Sequence, residues 1–185
     1  MTLTDQHSAE SLAYFALDAG DIAVADGGYG YRKHIAYVVQ QQAAGVFRID
    51  PRTCPLEDAA GQPLDGLRWL RKQGAPLRSQ AAWCYYAGQR YRVRVIALTL
   101  PPAAARAARK RKWQKAKEQG RQITPETLSL AGWVLVVTTL DAAVWSDADV
   151  LRLYRARWQA EMGQAHCPHT PHGVQGHFAS LALLP

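Results

Sequence analysis

A short apolar run that stops at an aspartate, DIAVAD at residues 21–26, restricts this chain more than any other feature. Its length and composition predict a strand buried in a core. GGYG follows and frees the chain to reverse. YRKHIAYVVQQQ then puts Ile35, Val38, Val39 and Gln42 at helical spacing, so a helix over 31–42 is predicted to pack on that strand. GVFRID, residues 45–50, reads as a second strand that Pro51 ends. A strand–helix–strand unit of this kind belongs to an α/β core.

The 185 residues suffice for one domain with a proper core, or for one domain carrying an insertion. With 48% hydrophobic and 20% charged residues, the composition is that of a soluble globular protein. No apolar run is long enough to span a bilayer. The opening MTLTDQHSAES has neither the basic start nor the apolar centre of a signal peptide. A cytoplasmic protein with no membrane partner is therefore expected. Cys54, Cys84 and Cys167 are scattered, odd in number and without a CxxC, which argues against a disulfide framework and a zinc ribbon. A net charge of +7 and a pI near 9.5 favour a polyanionic partner, nucleic acid being the usual one. Solubility alone would also account for such a charge.

The middle of the chain changes character. LEDAAGQPLDG is turn-like and LDGLRWLRKQ reads as a short helix. QAAWCYYAGQRYRVRVIALTL predicts a β-hairpin about Ala87-Gly88, with Arg90, Arg92 and Arg94 on one face and Tyr91, Val93 and Val95 on the other. A half-exposed antiparallel hairpin suits an insertion better than a central parallel sheet. Pro101 and Pro102 open a long helix that Gly120 closes, and Thr124-Pro125-Glu126 starts another. GWVLVVTTL, residues 132–140, reads as a strand buried on both faces. Ser146, with Asp147 and Asp149 in the first turn, caps a helix DADVLRLYRARWQAEM.

On that last helix Tyr154, Arg157 and Glu161 are spaced three and four apart and share a face. A carboxylate beside an arginine and a tyrosine could bind a divalent metal while the other two grip a phosphate. An ordinary salt-bridged helix face would carry the same residues. Asp26 ends a core strand, where sites in α/β sheets gather, although a turn cap is the commonplace role there. Two carboxylates on adjacent core elements are what two-metal phosphoryl chemistry needs.

VADGGYG followed far downstream by YRARWQAE resembles the DDE transposases of bacterial insertion sequences, in particular the branch named after insertion sequence four. That branch carries its second catalytic aspartate in a D-R-G-Y-like motif after a strand, which Asp26 matches. Its catalytic glutamate lies in Y-x-x-R-x-x-x-E on a helix, matched by Tyr154, Arg157 and Glu161. LTDQHSAESL, GQPLDGLRWL and LAGWVLVVTTL are similar to the family as well, so the resemblance spans roughly residues 1–162. It implies an α/β, RNase-H-like catalytic core, here incomplete, with a β-rich insertion over roughly 51–131. It further implies Mg²⁺ or Mn²⁺ held by Asp26 and Glu161, and Tyr154 and Arg157 on the phosphate backbone. The partners implied are double-stranded DNA at element ends and target, with self-association or pairing with intact transposase.

The departures are equally specific. Gly27 stands where the family usually has arginine, and the family's first catalytic aspartate has no counterpart, Asp5 and Asp18 lying outside its motif. The lysine expected after Glu161 is missing, because the resemblance stops at Gly163. A catalytically inactive DNA-binding remnant is therefore the alternative to an active transposase, with an unrelated basic structural domain third. His166, Cys167, His169 and His172 in the tail are metal-ligand types at tight spacing, but nothing around them supplies a rigid second shell. A shifted reading frame accounts better for 163–185, which is expected to be disordered: a one-base shift of Gly163–His166 permits a basic pair followed by isoleucine or threonine. Residues 106–121 hold eight lysines and arginines against Glu118 alone, with Trp113 among them. Arg109, Lys110, Arg111 and Lys112 are expected to bind DNA with Arg90, Arg92 and Arg94, a solvated helix face being the other possibility.

Overall fold

The computed structural model describes residues 11–71, 75–164 and 182–184. DIAVAD forms β1 (Ile22–Ala25), all four residues buried, and GVFR lies in β2 (Ala44–Arg48). They pair in parallel, Ile22 opposite Ala44, through α1 (Arg32–Gln40). The helix buries His34, Ile35, Ala36 and Val38. Two members of the expected stripe are placed otherwise. Val39 is exposed, and Gln42 lies beyond the helix in a left-handed turn (φ 57°). There Ala43 N–H donates to Val38 O at 2.9 Å and Gln42 N–H to Val39 O at 3.0 Å, the Schellman closure usually built on glycine.

After α2 (Gly66–Arg71), β3 (Leu77–Tyr86) and β4 (Gln89–Thr99) make the predicted hairpin. Its turn uses positive φ at Ala87 (49°) and Gly88 (80°), the twist a two-residue hairpin loop requires. Alternation is as read from sequence: Tyr91, Val93 and Val95 are buried and Arg92 is exposed. The hairpin is not set apart, however. β4 pairs along β5 (Trp133–Thr138), β5 pairs with β2, and one mixed sheet results in the order β3-β4-β5-β2-β1-β6. β6 (Ala182–Leu184) runs antiparallel to β1. It falls within the tail expected to be disordered, where three residues are too few to display a period.

α3 (Pro102–Glu118) and α4 (Pro125–Leu130) begin where the prolines predict. Thr124 Oγ1 caps α4 by accepting from Thr127 N–H. α5 (Asp147–Gln164) opens on a reciprocal cap: Ser146 Oγ accepts from Asp149 N–H, and Asp149 Oδ2 accepts from Ser146 N–H.

The core has two faces, because successive strand residues point oppositely. Ala23, Ala25, Phe47 and Val137 pack with Ile35 and Val38 of α1. Ile22, Val24, Val46 and Val136 pack with Val150 and Leu151 of α5. Helices on both faces explain why β1 is apolar throughout instead of alternating. Among the described residues, no helix is long and apolar enough to cross a membrane.

Candidate functional site

Asp26 directly follows β1, half-buried, and its Oδ1 accepts from Gly28 N–H at 2.9 Å. The turn is closed by Tyr29 N–H donating to Asp26 O at 3.1 Å. Gly30 is sterically required: a Cβ there would lie 2.2 Å from Arg48 O, so the loop presses onto the end of β2. A Cβ on Gly27 would meet nothing within 4 Å, so the fold leaves room there for a side chain.

His34 holds the loop from beneath. It is 2% exposed, and its Nδ1 lies 2.9 Å from Tyr29 O. Since a carbonyl only accepts, Nδ1 carries the proton. Burial lowers the His34 pKa, opposed by the hydrogen bond to Tyr29, and the imidazole is neutral near pH 7.

α5 lies against β1 and β2 and carries the Tyr154–Arg157–Glu161 face. Tyr154 packs against the α5-side core, and Arg157 is 3% exposed with its guanidinium 5.7 Å from the Tyr154 ring. Glu161 is part of α5, but its side chain lies outside the described residues. The strand that leads into Asp26 and the helix that bears Glu161 are thus packed neighbours. His166, Cys167, His169 and His172 also lie outside the described residues.

The three hairpin arginines, equivalent by alternation, are placed differently. Arg90 pairs with Glu57 at 3.2 Å, lies over the Trp83 ring at 5.0 Å and donates to Asp58 O. Arg94, its side chain 13% exposed, lies 3.1 Å from Asp147 Oδ1 and donates to Trp145 O at 2.7 Å. It secures the start of α5 and does not face solvent as a DNA contact would. Arg92 is exposed, with no carboxylate within ion-pair distance among the described residues.

On α3, Arg109 donates to Leu128 O at 3.2 Å and ties the helix to α4. Lys110, Arg111 and Lys112 are exposed, and the last two line a cleft with Arg48, Arg52 and Lys115. Arg48 and Arg52 had no place in the sequence reading, although RIDPR at the end of a strand is a visible signal. Trp113 is exposed under Lys117. Cys54 and Cys84 are buried free thiols, each pushed up to about 12 by burial, and so remain protonated and unreactive.

Over 86% of its length the chain is similar to transposases of bacterial insertion sequences. It is 32% identical over 167 residues to the transposase for insertion sequence element IS421 of Escherichia coli. The InsL transposases of elements IS186A and IS186B of Escherichia coli strain K12 match at the same identity. The chain spans 45% of the length of these curated relatives. No family model matches it.

Proposed function

We propose that this chain is a segment of a DNA transposase of the DDE type, from the branch named after insertion sequence four, with an RNase-H-like core. The observation that carries the reading is the packing of α5, bearing Tyr154, Arg157 and Glu161 in order, against the parallel strand that ends at Asp26. The similarity to insertion-sequence transposases over 86% of the chain supports it independently.

Asp26 and Glu161 are the ligands for Mg²⁺ or Mn²⁺ in this reading. The donor set fits, since both are hard oxygen ligands of the kind those ions take. Among the described residues no three of His, Cys, Asp or Glu come together for an ion. Asp26 therefore needs carboxylates from outside them, Glu161 first. When bound, the metal supplies charge neutralisation and nucleophile activation for in-line attack at phosphorus. The protein's own part is positional. The Gly28 N–H fixes one Asp26 oxygen and leaves Oδ2 for a ligand. Arg157, buried and permanently charged beside the Tyr154 ring, holds in place the face of α5 that carries Glu161. Double-stranded DNA is the partner, met by Arg92, Lys110, Arg111 and Lys112.

Mn²⁺ titration followed by electron paramagnetic resonance tests the reading. Asp26→Asn and Glu161→Gln should each weaken Mn²⁺ binding, and the double variant should bind no more weakly than the poorer single one, as one shared site demands. Independent, additive losses, or none, would count against it.

A further inference from the structure

Beside the Asp26 loop a cleft of about 480 Å³ opens between the end of β2, α3 and α4, and Gly27 forms part of its wall. Ile49, Trp133 and Leu135 give it an apolar floor. Its rim is cationic on two sides: Arg48 and Arg52 from the end of β2, and Arg111, Lys112 and Lys115 from α3. Asp50 is the one carboxylate among the lining residues, and it is already engaged. Arg52 donates to both its oxygens, which holds the Asp50 carboxyl below its ordinary pKa, and Lys112 adds to the same effect. Arg52 also reaches Thr127 Oγ1 at 3.3 Å, so its guanidinium is preset across the cleft. The other four cations have no carboxylate within ion-pair distance among the described residues.

Five cations facing one satisfied acid, above an apolar floor that includes an indole, make a site for a strand of phosphates with sugars and bases lying inward. We propose that the cleft holds the phosphodiester backbone of one DNA strand and leads it to Asp26. That the ligand is DNA, and that Asp26 is its destination, rests on the transposase reading. Arg111 and Lys112 are shared with that reading; what the cleft adds is the path of one strand, with Arg48, Arg52 and Lys115 as further contacts.

The test is anisotropy of a labelled single-stranded oligonucleotide and of its duplex over a range of KCl. Arg48→Gln, Arg111→Gln and Lys115→Gln together are compared with Arg106→Gln, Arg121→Gln and Arg155→Gln, three exposed cations away from the cleft. The cleft triple should lower the log–log salt slope for the single strand by about 2, at roughly 0.7 per phosphate lost, and weaken binding at least tenfold at low salt. The control triple should leave that slope nearly unchanged. Acetylation of the unaltered protein gives a second reading: the single strand should protect Lys112 and Lys115 and leave Lys33 reactive. Equal losses in the two triples, or no protection, would overturn the cleft while the DNA reading stood. Absence of DNA binding by the unaltered chain would overturn both.

Discussion

The guanidinium of Arg94, in the middle of β4, lies 3.1 Å from the carboxylate of Asp147, in the first turn of α5. A residue that looks like one of three surface arginines thereby ties the hairpin to the helix bearing Glu161. Arg94→Ala leaves Asp147 without its ion-pair partner and Trp145 O without its donor, in a largely buried place. It should cost about 2–3 kcal/mol in urea unfolding. Arg94→Ala with Asp147→Ala should recover part of that loss. A cost below about 0.5 kcal/mol would mean the pair behaves like an exposed one.

The Asp26 loop makes a sharper prediction, because two of its glycines differ. Gly30→Ala forces a Cβ to within 2.2 Å of Arg48 O and should destabilise by about 2–4 kcal/mol. Gly27→Ala meets open space and should stay within about 0.5 kcal/mol of the parent. Equal effects in thermal unfolding would show that the loop does not rest on β2 as described.

His34 predicts a pH dependence. Its pKa is lowered in the folded protein by burial, so the unfolded chain takes up the proton more readily. Stability should be constant above the unfolded value near 6.5, and fall as pH drops below it until the folded pKa is reached. The slope contributed is at most about 1.4 kcal/mol per pH unit. His34→Gln should flatten the profile between pH 7 and pH 5. An unchanged slope would place the titration on other histidines.

Much of the fold was legible because it is local. DIAVAD, GGYG and the apolar spacing after it specify β1, the loop and α1; the prolines and Gly120 bound α3; Ala87-Gly88 marks the hairpin turn. Alternation assigned Arg90, Arg92 and Arg94 to a face, but it carries no information on partners. Glu57 and Asp147 are distant in sequence and were brought in by folding. The same holds for the basic cleft, whose two rims come from β2 and α3 with the whole hairpin between them. For the candidate site, Asp26 after a strand and Glu161 on a helix were readable as motifs. The packing of α5 on β1 became visible only in the sheet order.

In the proposed reading the metal has two carboxylates, Asp26 and Glu161, and no residue of the 185 stands in the motif of the family's first catalytic aspartate. The protein should therefore leave supercoiled plasmid intact with Mg²⁺ or Mn²⁺ while still binding DNA. Metal-dependent nicking abolished by Asp26→Ala would contradict this and make Asp5 the first candidate for the missing ligand.

The central claim, one metal site made by Asp26 and Glu161, is tested most directly by loading the protein with Fe²⁺ in place of Mg²⁺. Ascorbate and peroxide then generate radicals that cut the chain beside the ion. Mass spectrometry should find breaks near residue 26 and near residue 161, both suppressed by excess Mg²⁺ and both lost in Asp26→Asn. Breaks at only one of the two positions, or breaks that survive Asp26→Asn, would contradict the assignment.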